Sequence, residues 1–296
     1  MLKSKSKLVL GTAQFGLDYG INNAHGKPSI QAITKIIDYA LSNGVEFLDT
    51  AQAYGNSEEQ IGVALKELKK SAKIITKLHP NLDPTNEKAC FEAIVDSCKR
   101  CSQKQLWGLM LHRSEWLDQW HNGLGQALLK AKKEGLVSHL GISVYTPQQA
   151  NQLFQFPELD IIQLPFNAWS SDFVNNSFLS EAADKSILCF FRSIYLQGAL
   201  LMSQKAIKEK IPQASKIAKA WQKLCKHLNM SAQVLAMRYA LSYHTPIVIG
   251  VDNLEQLKDN LVLLSQSPLN YEMIQEIQKT LHPFSTEKIT NPALWS

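Results

Sequence analysis

Val45-Glu46-Phe47-Leu48-Asp49-Thr50-Ala51-Gln52-Ala53-Tyr54-Gly55 is the stretch on which the reading of the fold turns. Phe47 and Leu48 read as a short buried strand, Asp49 is a carboxylate at its exit, and Tyr54 is a phenol in the loop that follows. A charge straight after an apolar run is costly unless it is paired or solvated. The next apolar run, Ile74-Ile75-Thr76, ends in Lys77, and the one after it, Leu109-Met110-Leu111, ends in His112. Ionisable groups therefore recur at successive strand exits, and the remainder of the chain reads as a scaffold that gathers them.

Working outward, Leu8-Val9-Leu10 is a first strand ending in Gly11-Thr12, followed by a Gly- and Asn-rich loop over 16–27. Ser29 is the expected N-cap of a helix whose apolar stripe is Ile33, Ile36, Ile37, Ala40 and Leu41, stopped by Gly44. Beyond Tyr54, Ser57-x-x-Gln60 has the form of a capping box for a helix carrying Ile61, Ala64, Leu65 and Leu68. Strand three spans 73–78 with a helix over 85–101, and strand four spans 106–111 with a helix over 117–134. Strand five covers 139–145, with a short helix after Thr146-Pro147, and strand six covers 161–166. A loop and a helix over 177–185 lead to strand seven at 187–193, after which helices are expected over 213–228 and 231–243. Strand eight, Ile247-Val248-Ile249, ends in Gly250; Asp252-x-x-Glu255 caps a helix with Leu254, Leu257, Leu261 and Leu264, and a last helix covers 271–281.

Each strand is a short, nearly continuous apolar run, as expected for a parallel sheet buried on both faces. Eight strand–helix alternations without a linker-like break predict an α/β (β/α)8 TIM barrel with extra helices near the C-terminus. Residues 1–296 are expected to form one domain, with a core over about 8–265 and a C-terminal helix and tail over 266–296. The rival, a doubly wound open sheet, would usually show G-x-G-x-x-G after its first strand, and Gly11-Thr12-Ala13-Gln14-Phe15-Gly16 does not match that spacing. A barrel of this kind carries its active site at the C-terminal mouth of its strands. The residues ending the strands are Asp49, Lys77, His112, Ser143, Gln163, Arg192 and Gly250, a polar set that a purely structural barrel does not require.

The bulk numbers fit a soluble globular protein: 45% apolar, 19% charged and a formal charge of +5 over 296 residues. The one local basic cluster, Lys3, Lys5 and Lys7, reads as a solvated extension, so no nucleic-acid partner is expected. No apolar h-region precedes the first strand and no run approaches a membrane span, which points to the cytoplasm. Five cysteines fit a reducing compartment. Cys98-Lys99-Arg100-Cys101 has the form C-x-x-C, but with Cys90 it falls on one helix face and no second ligand pair follows, so core cysteines are expected and no metal. His79, His121, His139 and His244 show no ligand spacing, and Trp107, Trp116, Trp120 and Trp169 read as packing or loop walls. Phe166 and Trp169 are the alternative candidates for a substrate pocket.

If Asp49, Tyr54, Lys77 and His112 converge, Asp49 holds Lys77 charged, and a cation beside Tyr54 lowers its phenol pKa into the range of a general acid or base. His112 can then donate a hydrogen bond to a substrate carbonyl. A proton donor and a polarising donor, with no nucleophile and no metal cluster, suit carbonyl reduction or its reverse, with a hydride from a cofactor. Taken alone, Lys77 could instead be the Schiff-base amine of a barrel lyase.

With these residues in order, the chain resembles the aldo-keto reductase superfamily. The resemblance lies in Phe47-Leu48-Asp49-Thr50-Ala51-Gln52-Ala53-Tyr54-Gly55, Ile75-Thr76-Lys77 and Leu111-His112-Arg113. It continues through Leu140-Gly141-Ile142-Ser143 and Ile162-Gln163-Leu164-Pro165-Phe166-Asn167 to Val248-Ile249-Gly250 and Asn260. It implies reduction of an aldehyde or ketone at the expense of NADP in its reduced form, with NAD as the alternative. Tyr54 would donate the proton, Lys77 and Asp49 would tune it, and His112 would orient the carbonyl. The implied cofactor contacts are Gly11, Thr12, Ser143, Gln163, Arg192, Ser193, Gln197, Gly250, Gln256 and Asn260. Three departures from the family pattern stand out: Val144 where a second carboxamide contact is common, Arg192 where an aromatic often stacks, and the pair Gly250 and Gln256 where a basic pair often clamps the 2′-phosphate of NADP. Lys258 lies nearby but out of register. The stretches Leu10–Gly16, Asp49-Thr50-Ala51-Gln52 and Arg192–Gly198 look like a bacterial subgroup, from which a sugar-derived or nucleotide-sugar carbonyl substrate is expected. A second implication is a nicotinamide-binding, redox-sensing regulatory subunit without efficient turnover.

Overall fold

The structure, a computed structural model, describes residues 7–21, 26–170, 172–174 and 176–295. Lys3 and Lys5 of the basic cluster lie outside the described residues, as do parts of the 16–27 and 170–176 loops. Eight parallel strands close into a barrel in sequence order. They are β1 (Leu8–Gly11), β2 (Phe47–Asp49), β3 (Lys73–Lys77), β4 (Leu106–Leu111), β5 (Val137–Ser143), β6 (Ile161–Pro165), β7 (Leu188–Arg192) and β8 (Ile247–Gly250). The ring closes where β1 pairs with β8, Gly11 opposite Gly250.

Side chains alternate along a strand, so one parity of each strand faces the barrel axis and the other faces the surrounding helices. The inward set is Val9, Phe47, Ile75, Met110, Ile161, Phe190 and Val248, a cluster of its own with Trp107 and Leu188 packed against it. Trp107 stands edge-on to Phe47, ring centroids 4.8 Å apart, and lies 4.4 Å from His139, whose Nδ1 is 3.0 Å from Asp160. The outward set, including Leu8, Leu10, Leu48, Ile74, Leu109, Ile142, Ile162 and Phe191, joins the helices in a second, larger core.

The helices follow the sequence pattern closely. Ser29 caps Ile30–Ser42 by accepting from the Ala32 N–H, and Thr146 and Gln149 form a complete capping box on Pro147–Gln152. Four expectations shift. Ser57 is the first residue inside its helix, Ser57–Leu68, and its hydroxyl is drawn into buried contacts with Thr12, so no capping box forms with Gln60. The cap before Leu254–Leu263 is Asn253, whose Oδ1 accepts from the Gln256 N–H, one residue after the expected Asp252. The helix expected over 117–134 is a chain of short turns that becomes regular only at Gly125–Lys133, because Gly123 has φ +116°. A helix Gln204–Lys210, not expected from the sequence, follows β7; its one buried residue, Ile207, gives no apolar stripe. Cys90, Cys98 and Cys101 are buried in the helical layer, Cys98 Sγ lying 3.6 Å from the Leu136 carbonyl oxygen.

Candidate active site

The two-residue repeat that fills the barrel also arms its mouth. Two positions beyond the inward residues Phe47, Ile75, Met110, Ile161, Phe190 and Val248 stand Asp49, Lys77, His112, Gln163, Arg192 and Gly250. Each is thereby aimed into the space above the core. All six, with Gly11, Thr12, Tyr54, Ser143, Ser193, Gln197, Gln256 and Asn260, line one cavity of about 570 Å³. That size lies within the range of small-molecule sites.

Asp49 and Lys77 meet at its floor. Lys77 Nζ lies 2.7 Å from Asp49 Oδ1 and donates to the Thr50 carbonyl at 3.0 Å, and Gln163 Nε2 donates to the same Asp49 oxygen at 2.8 Å. The two charged side chains are 1% and 5% exposed. Lys77 Nζ is 5.3 Å from the centre of the Tyr54 ring, and the Tyr54 and His112 rings are 6.2 Å apart at right angles. Burial depresses the Lys77 ammonium despite the opposing pull of Asp49, so the carboxylate does not hold this lysine above its ordinary value. The Tyr54 phenol is raised, by burial first and by the Asp49 carboxylate second, while Arg192 pulls it down. The sequence-based expectation of a lowered phenol is thus reversed, because loss of water and a nearby carboxylate both oppose the phenolate.

The loop that carries Tyr54 is held from both sides. Gly16 and Gly55 interlock: a Cβ on Gly16 would stand 1.8 Å from the Tyr54 carbonyl oxygen, and one on Gly55, at φ +54°, would stand 2.3 Å from that of Gly16. Below, the Thr12 hydroxyl donates to the Asp49 carbonyl at 2.8 Å, Ser57 to the Thr12 carbonyl at 2.8 Å, and Thr50 to Ser57 at 3.0 Å. Gln52 clamps the loop outward, donating to the Ala93 carbonyl and Ser97 and accepting from the His79 N–H. Behind β3, the buried Glu58 accepts from Thr76 and from Arg100, both at 2.6 Å, and Arg100 reaches Ser97 at 3.1 Å. Gln52, Glu58 and Arg100 are not legible as partners from sequence spacing, since they meet across different βα units.

His112 is pushed down to about 4 by burial and then by Lys77 and Arg192, so the imidazole is neutral at pH 7. Its Nδ1 is buried with no hydrogen-bond partner. A proton there would be a buried unpaired donor, which favours the tautomer protonated on Nε2. Arg192 lies across the mouth, donating to the Val144 carbonyl at 3.0 Å with its guanidinium 4.4 Å from the centre of the Tyr145 ring. The following loop is contorted, with φ positive at Ser193, Leu196, Gln197 and Gly198. Such strain is maintained only where the surroundings over-determine it. Its Tyr195 hydroxyl donates to Asn260 at 2.9 Å. A nicotinamide dinucleotide fits this donor set: the Ser143 hydroxyl and Gln163 amide suit a carboxamide, beside an orphaned imidazole nitrogen and a cavity long enough to continue to Asn260. Gln14, Tyr19, Tyr145, Gln233, Asp252 and Asp259 also line the cavity and were not singled out as site residues from sequence; Tyr145, two residues past Ser143, and Asp252, two past Gly250, are those the two-residue pattern could have found. Phe166 and Trp169 do not line it: Phe166 stacks on Phe191 at 4.0 Å in the outer core, where Trp169 is also buried.

The model of the aldo/keto reductase family matches residues 7–282. The D-arabinose 1-dehydrogenase of Saccharomyces cerevisiae is 27% identical, covering 95% of this chain and 91% of its own length. Among solved structures, an aldo-keto reductase of Bacillus halodurans in its holo form superposes with a TM-score of 0.74 at 18% identity, covering 97% of this chain and 95% of that one. The glycerol dehydrogenase of Gluconobacter oxydans gives 0.72 at 19%, covering 97% and 92%. These likenesses extend the barrel match over the whole fold, and the family is one of oxidoreductases that act on carbonyls with nicotinamide cofactors. With the family model running from the first strand to past the last long helix, the chain belongs to the aldo/keto reductase family.

Proposed function

We propose that the protein reduces an aldehyde or ketone to an alcohol at the expense of NADPH or NADH, with Tyr54 as proton donor and His112 as the group that orients the carbonyl. The observation that carries this reading is the shared cavity in which Tyr54, His112 and the Lys77–Asp49 pair stand within reach of one small molecule. The bound dinucleotide supplies the hydride. Tyr54, its phenol raised by burial, keeps its proton at pH 7 until a developing alkoxide, a stronger base than water, takes it. Arg192 then favours the phenolate left behind, while Asp49 and the Thr50 carbonyl fix the direction in which the Lys77 N–H groups point beneath the Tyr54 ring. Neutral His112, protonated on Nε2, donates to the carbonyl oxygen and polarises it.

Lys77 serves this role rather than imine formation, because its amine is 1% exposed and engaged by Asp49 and Thr50. The likeness to a D-arabinose 1-dehydrogenase supports a sugar-derived carbonyl as the small-molecule substrate. The whole chain, 1–296, acts as one domain in the cytoplasm; no helix among the described residues is long and apolar enough to cross a membrane. Purified protein incubated with NADPH or NADH and a panel of aldoses and simple aldehydes should consume the cofactor with at least one of them. Cofactor binding without turnover across the panel would replace this proposal with that of a redox-sensing regulatory subunit.

A further inference from the structure

The far end of the cavity carries a charge pattern that selects between the two dinucleotides. From Tyr54 and His112 the lining runs past Ser143 and Gln163 to the β8 exit, Ile249 and Gly250, and on to Asp252, Gln256, Asp259 and Asn260. With a nicotinamide placed beside Tyr54, as proposed above, that end receives the adenosine ribose. Among the described residues, the cationic side chains on the lining, Lys77 and Arg192, are each engaged elsewhere, with Asp49 and with the Val144 carbonyl.

At the β8 end the fixed charge is negative. Asp252 Oδ2 accepts from Gln256 Nε2 at 3.1 Å while the Asp252 N–H donates to Gln256 Oε1 at 2.8 Å, and the Asn253 cap holds the Gln256 N–H at 2.9 Å. The carboxylate, one residue before the Asn253 cap of the helix Leu254–Leu263, is thus held by Gln256, which itself is fixed by the Asp252 N–H and the Asn253 side chain. Asp259 adds a second carboxylate to the same wall. Lys258, on the same helix, does not line the cavity; it is paired with Glu255 at 2.8 Å and lies 5.8 Å from the centre of the Tyr39 ring.

We propose that the Asp252 carboxylate, held by Gln256, makes the protein selective for NAD(H), accepting a hydrogen bond from the adenosine ribose hydroxyls and repelling the 2′-phosphate of NADP(H). This rests on the proposed function, since it takes the nicotinamide to lie beside Tyr54. A carboxylate is acceptor-only and suits a ribose diol; against a phosphate dianion it leaves two anions facing each other, with no cation among the described residues lining that end to offset them.

The test is isothermal titration of the intact protein with NADH and with NADPH at low and high salt. NADH should bind at least tenfold more tightly, a difference of about 1.4 kcal/mol, and the gap should narrow as salt screens the repulsion. Asp252→Asn should tighten NADPH several-fold and weaken NADH, so that the preference for NADH collapses. Equal or tighter binding of NADPH by the unaltered protein overturns the inference, as does an Asp252→Asn variant that binds NADH normally and keeps the same ratio. Failure of both dinucleotides to bind would instead sink the proposed function itself.

Discussion

The Lys77–Asp49 pair makes a demanding test, because removal of either partner leaves the other buried and unmatched. At 2.7 Å and with side chains 1% and 5% exposed, neither charge is replaced by water when its partner goes. Losing one member of such a pair costs about 3–5 kcal/mol, a large share of the roughly 5–15 kcal/mol that keeps a domain folded. Asp49→Asn keeps the shape, and its amide can still meet Gln163, but Lys77 loses the group that now offsets its burial. The Lys77 pKa, already below its ordinary value, should then fall further. Between that folded value and the unfolded value near 10.4 the folded state binds fewer protons than the unfolded chain, so stability should rise with pH across that window. Urea denaturation followed by circular dichroism at several pH values from neutral upward, for the parent, Asp49→Asn, Lys77→Met and the double variant, reads all of this. The account expects a steeper rise with pH in Asp49→Asn than in the parent, no such added slope once Lys77 is also replaced, and a double variant more stable than the two single losses summed. Additive losses, or an Asp49→Asn variant whose stability is flat from neutral pH upward, would refute the reasoning.

Two further outcomes follow from the geometry of the same mouth. His112, depressed from 6.5 to about 4, favours the folded state fully above pH 6.5 and loses that contribution as pH falls toward 4; the fall is worth at most about 3 kcal/mol, and comparing His112→Gln with the parent at pH 7 and pH 5 should show the parent losing more. Gly55→Ala places a methyl group 2.3 Å from the Gly16 carbonyl oxygen at a backbone of φ +54°, so it should destabilise the protein by about 1–3 kcal/mol and, by displacing Tyr54, lower kcat more than cofactor affinity.

The barrel was legible because its strands are apolar on both faces and several are closed by a polar residue two positions past an inward one. Phe47 to Asp49, Ile75 to Lys77 and Met110 to His112 carry fold and site in a single two-residue step. What escaped was whatever depends on contacts between distant units. Ser57 looked like a cap from its own neighbours, yet the Thr12 carbonyl and hydroxyl, far away in sequence, claim its side chain. Gln52, Glu58 and Arg100 meet only when the loop after β2 packs on the helix Glu87–Arg100. The direction of the Tyr54 shift was misjudged for a related reason: a list of neighbouring charges omits the loss of water, which is the larger influence here. Asp252 read as a helix cap from its own neighbours, and its place on the cavity wall depends on the turn between β8 and the helix Leu254–Leu263.

The central claim is that Tyr54 supplies the proton, and Tyr54→Phe tests it with the removal of one oxygen. Dissociation constants for the preferred dinucleotide and single-turnover oxidation of the bound reduced cofactor by an accepted aldehyde should be measured side by side for the parent and the variant. The account predicts unchanged cofactor affinity and a rate lower by at least about 10²-fold, the lower range of general-acid contributions. A variant that binds the cofactor and oxidises it at the parental rate would contradict it.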